Sequence, residues 1–542
     1  MRRATALVAM VAVLIVLSLM TTAAVLAGGR AASQGALRVD GHRALMGVTA
    51  AGHMAIKEVM DGADLDADGG IGSISGDGNS NNDPLLAGDT RISAQRTDIG
   101  GQIVLSLEAR SGSAVRRASL TMSPGGGSGG SGTGSDVFFS TSSSNWLRRA
   151  TFSTSSMTWS AAANLASFAT TPIWVAAAQG STTTHLLASN SGNGLAYGRR
   201  ASDGTVSAFS TVSTDIASTN SRPFDVAVEP SSGDALMVYW EATANALRFR
   251  TFTGSTLSSA SAMSLSTNTV KWVRLIPLDS TGDEIMAITI DTSKHARAAR
   301  WTGSAWTGAT ALSTTLAEEV REGVSAAHEP VSGRLMVVMH DSNNGMFRYR
   351  TWSSGAGSAA STRSGFGSVK LHWMRVVGVP GSNRMFLAAS DENQGLWTSQ
   401  WDGSTWSTPV QTLSGFQSAN ARRFDIGVSA DGTRAALFYA SSNSMRYRLW
   451  NGTAWGSEVT AFSPSGQPEV IVARPGPVVG SIIGALGDHG GVNAWYFAGS
   501  TFTRSRVGTT STSYSETEWF AVPVGAGSST RPRVLGWIST IP

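Results

Sequence analysis

The chain has 542 residues, more than one compact core usually serves, so we expect at least two folding units. With 41% hydrophobic residues, 17 Trp and 18 Phe, the composition excludes intrinsic disorder, and the low charged fraction of 14% favours an exported, mainly β protein. A net charge of +4 without a dense basic run predicts no nucleic-acid partner, and the lack of cysteine excludes disulfides and thiolate metal sites.

The chain opens with an apolar segment. Residues Ala4–Ala27 carry no charge and are long enough to cross a bilayer as a helix, so we predict a transmembrane segment within residues 1–30. Arg2 and Arg3 precede it and should keep the N-terminus in the cytoplasm. The alternative is a cleaved secretory signal, because Val25–Ala27 fits the small-residue cleavage preference. Either way, the bulk of the chain is expected outside the cytoplasm, in the periplasm, at the cell surface or in a pilus.

Residues 31–122 have the pattern of a helix followed by a small antiparallel sheet. Apolar residues at three-to-four spacing indicate an amphipathic helix that continues the first one. Ile103–Leu107 and Val115–Met122 have strand composition, and Thr90–Asp98 is a weaker third candidate. The positions of the helical pattern are Leu45, Val48, Gly52, Ile56 and Val59.

An acidic loop lies between the predicted helix and the predicted sheet. Asp64, Asp66 and Asp68, followed by Gly69, have the one-three-five spacing of oxygen ligands and the turning glycine of a calcium loop. The twelfth position of the loop is Ser75 instead of a bidentate glutamate, so a full EF-hand ligand set is not supplied. Two interpretations stay open, a weak calcium site on the three aspartates or a solvated acidic loop.

About the first 120 residues resemble the PilX-type minor pilins and related pilus-assembly proteins. The resemblance is carried by the start Met1–Met10 and by the strand region Arg91–Met122. It implies a pilin-like module that is anchored in the membrane by its helix and that associates with other pilin-like proteins. The Gly-Phe processing site of true pilins is missing, so prepilin processing is not implied.

A glycine-rich linker leads into a repeated head. Residues 123–135 read SPGGGSGGSGTGS and predict a flexible linker, and residues 136–542 then repeat with a period near fifty. An aromatic residue closes a strand at intervals of 47 to 51 residues, with Ala201 at one place where the aromatic is missing, and a glycine follows two positions later in five units. The aromatic residues are Phe152, Phe252, Trp301, Trp352, Trp401, Trp450 and Phe497, and the glycines are Gly254, Gly303, Gly403, Gly452 and Gly499.

This period predicts the blades of a β-propeller, because a four-stranded unit cannot bury both of its faces alone. Eight anchors of a second strand predict eight blades. The predicted blade with its anchor at Val137 has no first strand before it in the sequence. Trp519–Val524, at the other end of the chain, could supply that strand. Val534–Ile538 is left unassigned, so a seven-bladed ring is the alternative. The anchors are Val137, Leu186, Leu236, Ile285, Leu335, Met385, Ala436 and Ile482.

The turns Trp401–Trp406 and Trp450–Trp455 resemble those of the fucose-binding and tectonin-like propeller lectins, in which aromatic rings stack on sugars. The resemblance is confined to this turn and implies a glycan as a partner. Since the aromatic recurs in nearly every unit, we interpret it as a blade-packing residue. Arginines at alternate positions of the third strands have two interpretations. They form a polar rim that binds acidic glycans or a protein partner, or they face solvent without a binding role. These arginines are Arg248 and Arg250, Arg348 and Arg350, and Arg446 and Arg448.

No residue is predicted to be catalytic. The sialidase box is not met at Ser390–Trp397, and the eight histidines lack metal-ligand spacing. We therefore predict a non-enzymatic, membrane-anchored, pilin-like surface protein whose propeller head serves adhesion or pilus or secretion assembly. The alternatives are a secreted carbohydrate-binding propeller lectin and a propeller hydrolase with its site in the central channel.

Overall fold

A computed structural model of the chain describes most of residues 135–509, the strands between residues 85 and 122, scattered positions between 40 and 74, and residues 520–521. The chain divides into two compact units, one formed by Met1–Ser128 with Ser529–Pro542 and the other by Gly129–Ser528. The predicted transmembrane segment lies outside the described residues. Among the residues that are described, no helix is long and apolar enough to span a membrane.

The first unit contains a helix and a four-stranded antiparallel sheet. The described positions between 40 and 58 are helical, and Val48, Ala51 and Ala55 form one buried cluster with Leu105 and Leu107 of the sheet. The strands agree with the three segments that the sequence predicts. In sheet order they are β1 (Leu85–Leu86), β2 (Thr90–Ile99), β3 (Gln102–Ser111) and β4 (Ala114–Met122).

The second unit is built from short strands. They are, in chain order, β5 (Asp136–Ser140), β6 (Trp146–Ser153), β7 (Thr158–Trp159), β8 (Ala163–Ser167), β9 (Pro172–Gln179), β10 (Thr183–Asn190), β11 (Leu195–Ala201), β12 (Ser210–Ser213), β13 (Phe224–Val228), β14 (Ala235–Glu241), β15 (Ala246–Thr253), β16 (Thr256–Leu257), β17 (Ser261–Met263), β18 (Val270–Pro277), β19 (Ile285–Asp291), β20 (Ala296–Trp301), β21 (Thr310–Ser313), β22 (Val324–His328), β23 (Leu335–His340), β24 (Met346–Ser353), β25 (Ala356–Gly357), β26 (Ser361–Ser364), β27 (Leu371–Gly378), β28 (Met385–Asp391), β29 (Leu396–Trp401), β30 (Val410–Leu413), β31 (Phe424–Val428), β32 (Ala435–Ser441), β33 (Ser444–Leu449), β34 (Val459–Phe462), β35 (Pro468–Pro475), β36 (Ser481–Asp488), β37 (Gly491–Ala498), β38 (Thr501–Thr509) and β39 (Phe520–Ala521).

Within the described part of this unit the strands form eight antiparallel sheets, which we number 1 to 8. Sheet 1 holds β39 and β5–β8, sheet 2 holds β9–β12, sheet 3 holds β13–β17, sheet 4 holds β18–β21, sheet 5 holds β22–β26, sheet 6 holds β27–β30, sheet 7 holds β31–β34, and sheet 8 holds β35–β38. Sheets 2, 4, 6, 7 and 8 are meanders whose strands pair in sequence order, whereas in sheets 3 and 5 the last two short strands both pair with the third strand. The fold is therefore mainly β and of the repeated β-propeller type.

Sheet 1 takes strands from both ends of the unit. Phe520 and Ala521 of β39 pair antiparallel with Phe139 and Phe138 of β5. This pairing confirms the prediction that the C-terminal segment supplies the missing first strand. The unassigned segment Val534–Ile538 lies outside the described residues.

The glycine of the repeat is required by the backbone conformation of its turn. Gly303, Gly403 and Gly452 have φ angles of 86°, 105° and 106°, a region that a residue with a Cβ atom rarely adopts. The turn folds the chain back so that Trp306 packs on Trp301, with ring centroids 5.4 Å apart. The glycine and the two aromatic residues of the repeat are thus one local structure.

The first strands of neighbouring sheets, such as β9 and β13 or β27 and β31, lie next to each other, and we call the first strands the inner strands. Three of them carry tryptophan rings that contact one another. Trp174, Trp272 and Trp373 lie on the inner strands β9, β18 and β27. The centroid distance is 5.6 Å between the first two rings and 5.7 Å between the last two, both edge-on. These strands belong to sheets 2, 4 and 6, which do not follow one another directly, so the rings meet where the inner strands converge.

Candidate functional site

The tryptophan that closes the third strand packs against the preceding sheet. The indole Nε1 of Trp301 donates a hydrogen bond to Glu229 Oε1 at 2.6 Å, and that of Trp401 donates to Glu329 Oε1 at 2.5 Å. Both glutamates are buried. The ring of Trp450 lies 4.9 Å from that of Phe386 in the preceding sheet. These contacts confirm that the aromatic of the repeat packs neighbouring sheets together.

Arginines of one sheet bind the glycine turn of the next. Arg334 Nη2 donates to the carbonyl of Gly403 at 3.0 Å, and Arg384 Nη1 donates to the carbonyl of Gly452 at 3.3 Å. The Arg384 guanidinium also lies 5.7 Å from the centroid of the Trp450 ring. Arginine recurs at the position just before the second strand, a signal that was available in the sequence and that our sequence interpretation missed.

A cleft of about 240 Å³ lies between sheets 6 and 7. Sheet 6 contributes Gln400, Ser407 and other polar residues, and sheet 7 contributes Trp450 and Thr453. The nearby Arg448 also lines this cleft, but its Nη1 already donates to the carbonyl of Gly456 at 3.0 Å. The cleft therefore combines an aromatic ring with amide and hydroxyl groups.

A second cleft, of about 430 Å³, lies between sheets 3 and 4. Sheet 3 contributes Glu229, Asp234 and a row of hydroxyl side chains, and sheet 4 contributes Trp301 and Ser304. Burial raises the pKa of Glu229, and the nearby Asp283 carboxylate raises it further. This cleft shares the aromatic and hydroxyl character of the first but is more acidic.

The two clefts occupy the same place in the repeat. Gln400 in one cleft and Thr251 in the other stand one residue before the strand-closing aromatic of their sheets, and Ser407 and Ser258 stand six residues after it. Each cleft also takes the strand-closing tryptophan of the following sheet. The fold has therefore placed a similar aromatic and polar surface at two of its interfaces.

The first arginine of each third-strand pair forms an ion pair within its own sheet. Arg248 forms an ion pair with Glu241 at 3.0 Å, and Arg348 pairs with Asp341. The corresponding Arg446 also pairs with a carboxylate. Because a carboxylate compensates each of these three charges locally, Arg248, Arg348 and Arg446 favour the structural interpretation over a binding rim.

Carboxylates on the inner strands pair with arginines. Asp425 is fully buried and lies 2.8 Å from Arg375, 3.2 Å from Arg474 and 3.7 Å from Arg422. Burial alone would raise its pKa, but the three guanidinium groups outweigh burial and hold the pKa of Asp425 below its usual range. An ionised carboxylate held in this way binds sheets together and is a poor general acid. We assign no catalytic residue.

The predicted calcium ligands Asp64, Asp66 and Asp68 lie outside the described residues, and their role stays a prediction. Within the part of the chain that the structure describes, no group of three or more His, Asp or Glu side chains could hold a metal ion.

No family model matches the chain, and no curated protein matches it. Similar solved structures include the BP39L lectin from Burkholderia pseudomallei, with 12% identity over 62% of this chain and 99% of that chain and a TM-score of 0.48. The lectin of Aleuria aurantia, described as a six-bladed β-propeller with a novel mode of fucose recognition, has 14% identity over 54% of this chain and 96% of its own and a TM-score of 0.33. The SapL1 lectin in complex with α-methyl fucoside has 14% identity over 62% and 96% and a TM-score of 0.34. None of these comparisons supports the PilX-type resemblance.

Proposed function

We propose that this chain binds carbohydrate in clefts between successive sheets of its propeller. The repeated cleft carries this proposal, because corresponding residues at two interfaces bring an aromatic ring beside hydroxyl or amide groups. A sugar ring has an apolar face and hydroxyl-bearing edges, and such a mixed surface matches both. The carbohydrate-binding propeller, an alternative in the sequence interpretation, thus becomes the main proposal.

The cleft between sheets 6 and 7 suits a neutral sugar. The indole ring of Trp450 lines this cleft, so its apolar surface can pack against the face of a sugar ring. Gln400 offers an amide that can both donate and accept. Arg448 is already bound by Tyr439 at 3.2 Å and by Gly456, so the cleft does not demand an anionic ligand.

We further propose that the eight sheets are the blades of one closed ring. Sheet 1 contacts sheet 8, because the backbone N–H of Trp159 donates to Ser505 Oγ at 3.4 Å and the ring of Phe152 stacks 5.1 Å from that of Tyr496. Sheet 1 also contacts sheet 2, since β39 lies next to β9. These contacts on both sides favour eight blades over seven.

Glycan-array binding by the purified protein tests the carbohydrate proposal. We expect binding to neutral glycans, and Gln400→Ala should weaken it about tenfold because one or two hydrogen bonds to the sugar are lost. Thr310→Ala, an exposed residue that lines neither of these two clefts, should leave binding unchanged. A folded protein that binds no glycan would contradict the proposal.

A pilin-like membrane anchor for the head is a second proposal. It is favoured by the N-terminal unit, in which helical Val48 and Ala51 pack on a four-stranded antiparallel sheet. Residues Ala4–Ala27 would then hold the protein in the membrane and present the propeller outside the cytoplasm. N-terminal sequencing of the mature protein tests this proposal, and a mature chain that begins at Gly28 would exclude the anchor.

A further inference from the structure

The cleft between sheets 3 and 4 has three carboxylates in or beside its wall, and no arginine or lysine is among the described residues that line it. Glu229 and Asp234 line it, and Asp283 lies beside Gly303 at its edge. Glu229 is 4% exposed, and Asp234 accepts a hydrogen bond from Thr253 Oγ1 at 2.7 Å. The neighbouring Arg248 and Arg250 alternate along β15 with the lining residues, so they belong to the opposite face of the strand.

The interface between sheets 5 and 6 has the same arrangement with one decisive difference. The corresponding residues there are Glu329, Arg334 and Asn383. They lie two repeats, or one hundred residues, after Glu229, Asp234 and Asp283. Arg334 binds Glu329 through two hydrogen bonds of 2.7 Å, from Nε to Oε2 and from Nη2 to Oε1. The same Nη2 atom donates to the Gly403 carbonyl. At this interface a buried glutamate and a glycine carbonyl thus bind the guanidinium group of an arginine side chain.

The exchange of arginine for aspartate changes the charge of the interface. The three positions have a formal charge of zero between sheets 5 and 6 and of minus three between sheets 3 and 4. Glu229 accepts hydrogen bonds from the Trp301 indole and the Ser232 hydroxyl. Glu329 accepts the corresponding two bonds from a tryptophan and a serine at its own interface. The carboxylate of Glu229 is thus held in the same way, but position 234 adds a negative charge instead of a guanidinium.

We propose that the cleft between sheets 3 and 4 binds a cationic amino sugar, whose ammonium group lies where the Arg334 guanidinium lies at the other interface. This inference rests on the proposed carbohydrate binding and specifies its ligand class. The carboxylates of Glu229 and Asp234 compensate the ammonium charge. Hydroxyl groups of Thr251, Ser261 and Ser304 line the same cleft and can bond the hydroxyls of a sugar. A basic peptide side chain would leave those hydroxyl groups unused.

Calorimetry on the full chain with D-glucosamine and N-acetyl-D-glucosamine tests the inference, because the two share a ring and differ in charge. Glucosamine should bind at least about ten times more tightly. Equal affinities, or no binding of either sugar by a protein that binds array glycans, would overturn the inference and leave the proposed function standing. Arginine methyl ester that binds as tightly as glucosamine would overturn the amino sugar in favour of a basic peptide.

Asp234→Arg gives sheet 3 the residue that sheet 5 has at this position. It should reduce glucosamine affinity at least about tenfold, because the new guanidinium binds Glu229 as Arg334 binds Glu329. Glu392→Arg makes the same charge change at an exposed position outside the two clefts and should leave affinity unchanged. Thermal melting and retained binding of neutral glycans verify folding. Unchanged glucosamine binding by folded Asp234→Arg would overturn the inference.

A double variant tests the inference in the opposite direction. Arg334→Asp with Asn383→Asp gives the interface between sheets 5 and 6 the three carboxylates of the interface between sheets 3 and 4. The expected result is a second glucosamine site, seen as a rise in stoichiometry from one to two. A folded double variant with unchanged stoichiometry would show that these carboxylates do not make the site.

Discussion

The Oδ2 atom of Asp425 accepts a hydrogen bond from the backbone N–H of Ala473, 3.0 Å away on the inner strand of the next sheet. The same link recurs at two earlier interfaces, where the N–H groups of Leu275 and Val376 donate to the side chains of Asp225 and Ser325 at 3.0 Å. The three acceptors lie one hundred residues apart, so this feature repeats with every second sheet. These side chains bond the inner strands of sheets that share no strand pairing with each other.

Asp425→Asn should destabilise the protein by about 3–5 kcal/mol, because it leaves three arginines around a neutral buried side chain. Chemical denaturation measures the effect. Ser325→Ala is the matched control, since it removes a corresponding link that involves no charge and should cost only about 1 kcal/mol. Equal losses in the two variants would show that the charge of Asp425 contributes nothing.

Stability should fall as the pH falls below about 6.5, partly because of His340. Burial lowers the pKa of His340 to about 3, and the neighbouring His372 contributes to the shift. Between pH 6.5, the ordinary pKa of histidine in the unfolded chain, and about pH 3, its pKa in the folded chain, only the unfolded chain binds the proton. A fall in pH through this range therefore favours unfolding by up to about 1.4 kcal/mol per pH unit. His340→Asn should flatten the dependence of unfolding free energy on pH, measured with urea from pH 7 to pH 4. An unchanged slope would contradict the prediction.

Truncation after Thr509 should lower the melting temperature of the protein by several degrees. It removes β39, so β5 loses its partner and sheet 1 exposes an unpaired edge. Truncation after Val524 keeps β39 and is the control. If both truncated proteins melt at the temperature of the intact chain, the strand pair between the two ends does not stabilise the propeller.

Limited proteolysis should cut first within Ser123–Ser135, because a Gly/Ser segment exposes its backbone and has few contacts to lose. The expected product is a resistant fragment that begins near Asp136, identified by mass spectrometry. The two compact units divide within this segment, at Ser128 and Gly129, as such a product requires. Uniform digestion of the repeats would instead mean that the propeller depends on the N-terminal unit.

The sequence by itself determined the repeat and its local structure. The period, the aromatic that closes each third strand and the turn glycine were all readable, because each depends on residues a few positions apart. Gly303 and Gly403 have the positive φ angles that such a turn needs, and the donor segment Trp519–Val524 contains the strand that completes sheet 1. Strand alternation and turn chemistry act locally, so they leave a signal in one chain.

Only the tertiary structure decided where a ligand could bind. Each cleft joins side chains of two sheets, such as Thr251 and Trp301, which lie fifty residues apart in sequence and meet only when the sheets pack. The sequence interpretation recognised the recurring tryptophan but not the position held by Asp234 in one sheet and Arg334 in another. Arg334 donates a hydrogen bond to a turn of the next sheet, whereas Asp234 lines an open cleft. Which of the two occurs depends on the neighbouring sheet, because contacts between sheets, and not the local sequence, decide whether a charge is compensated.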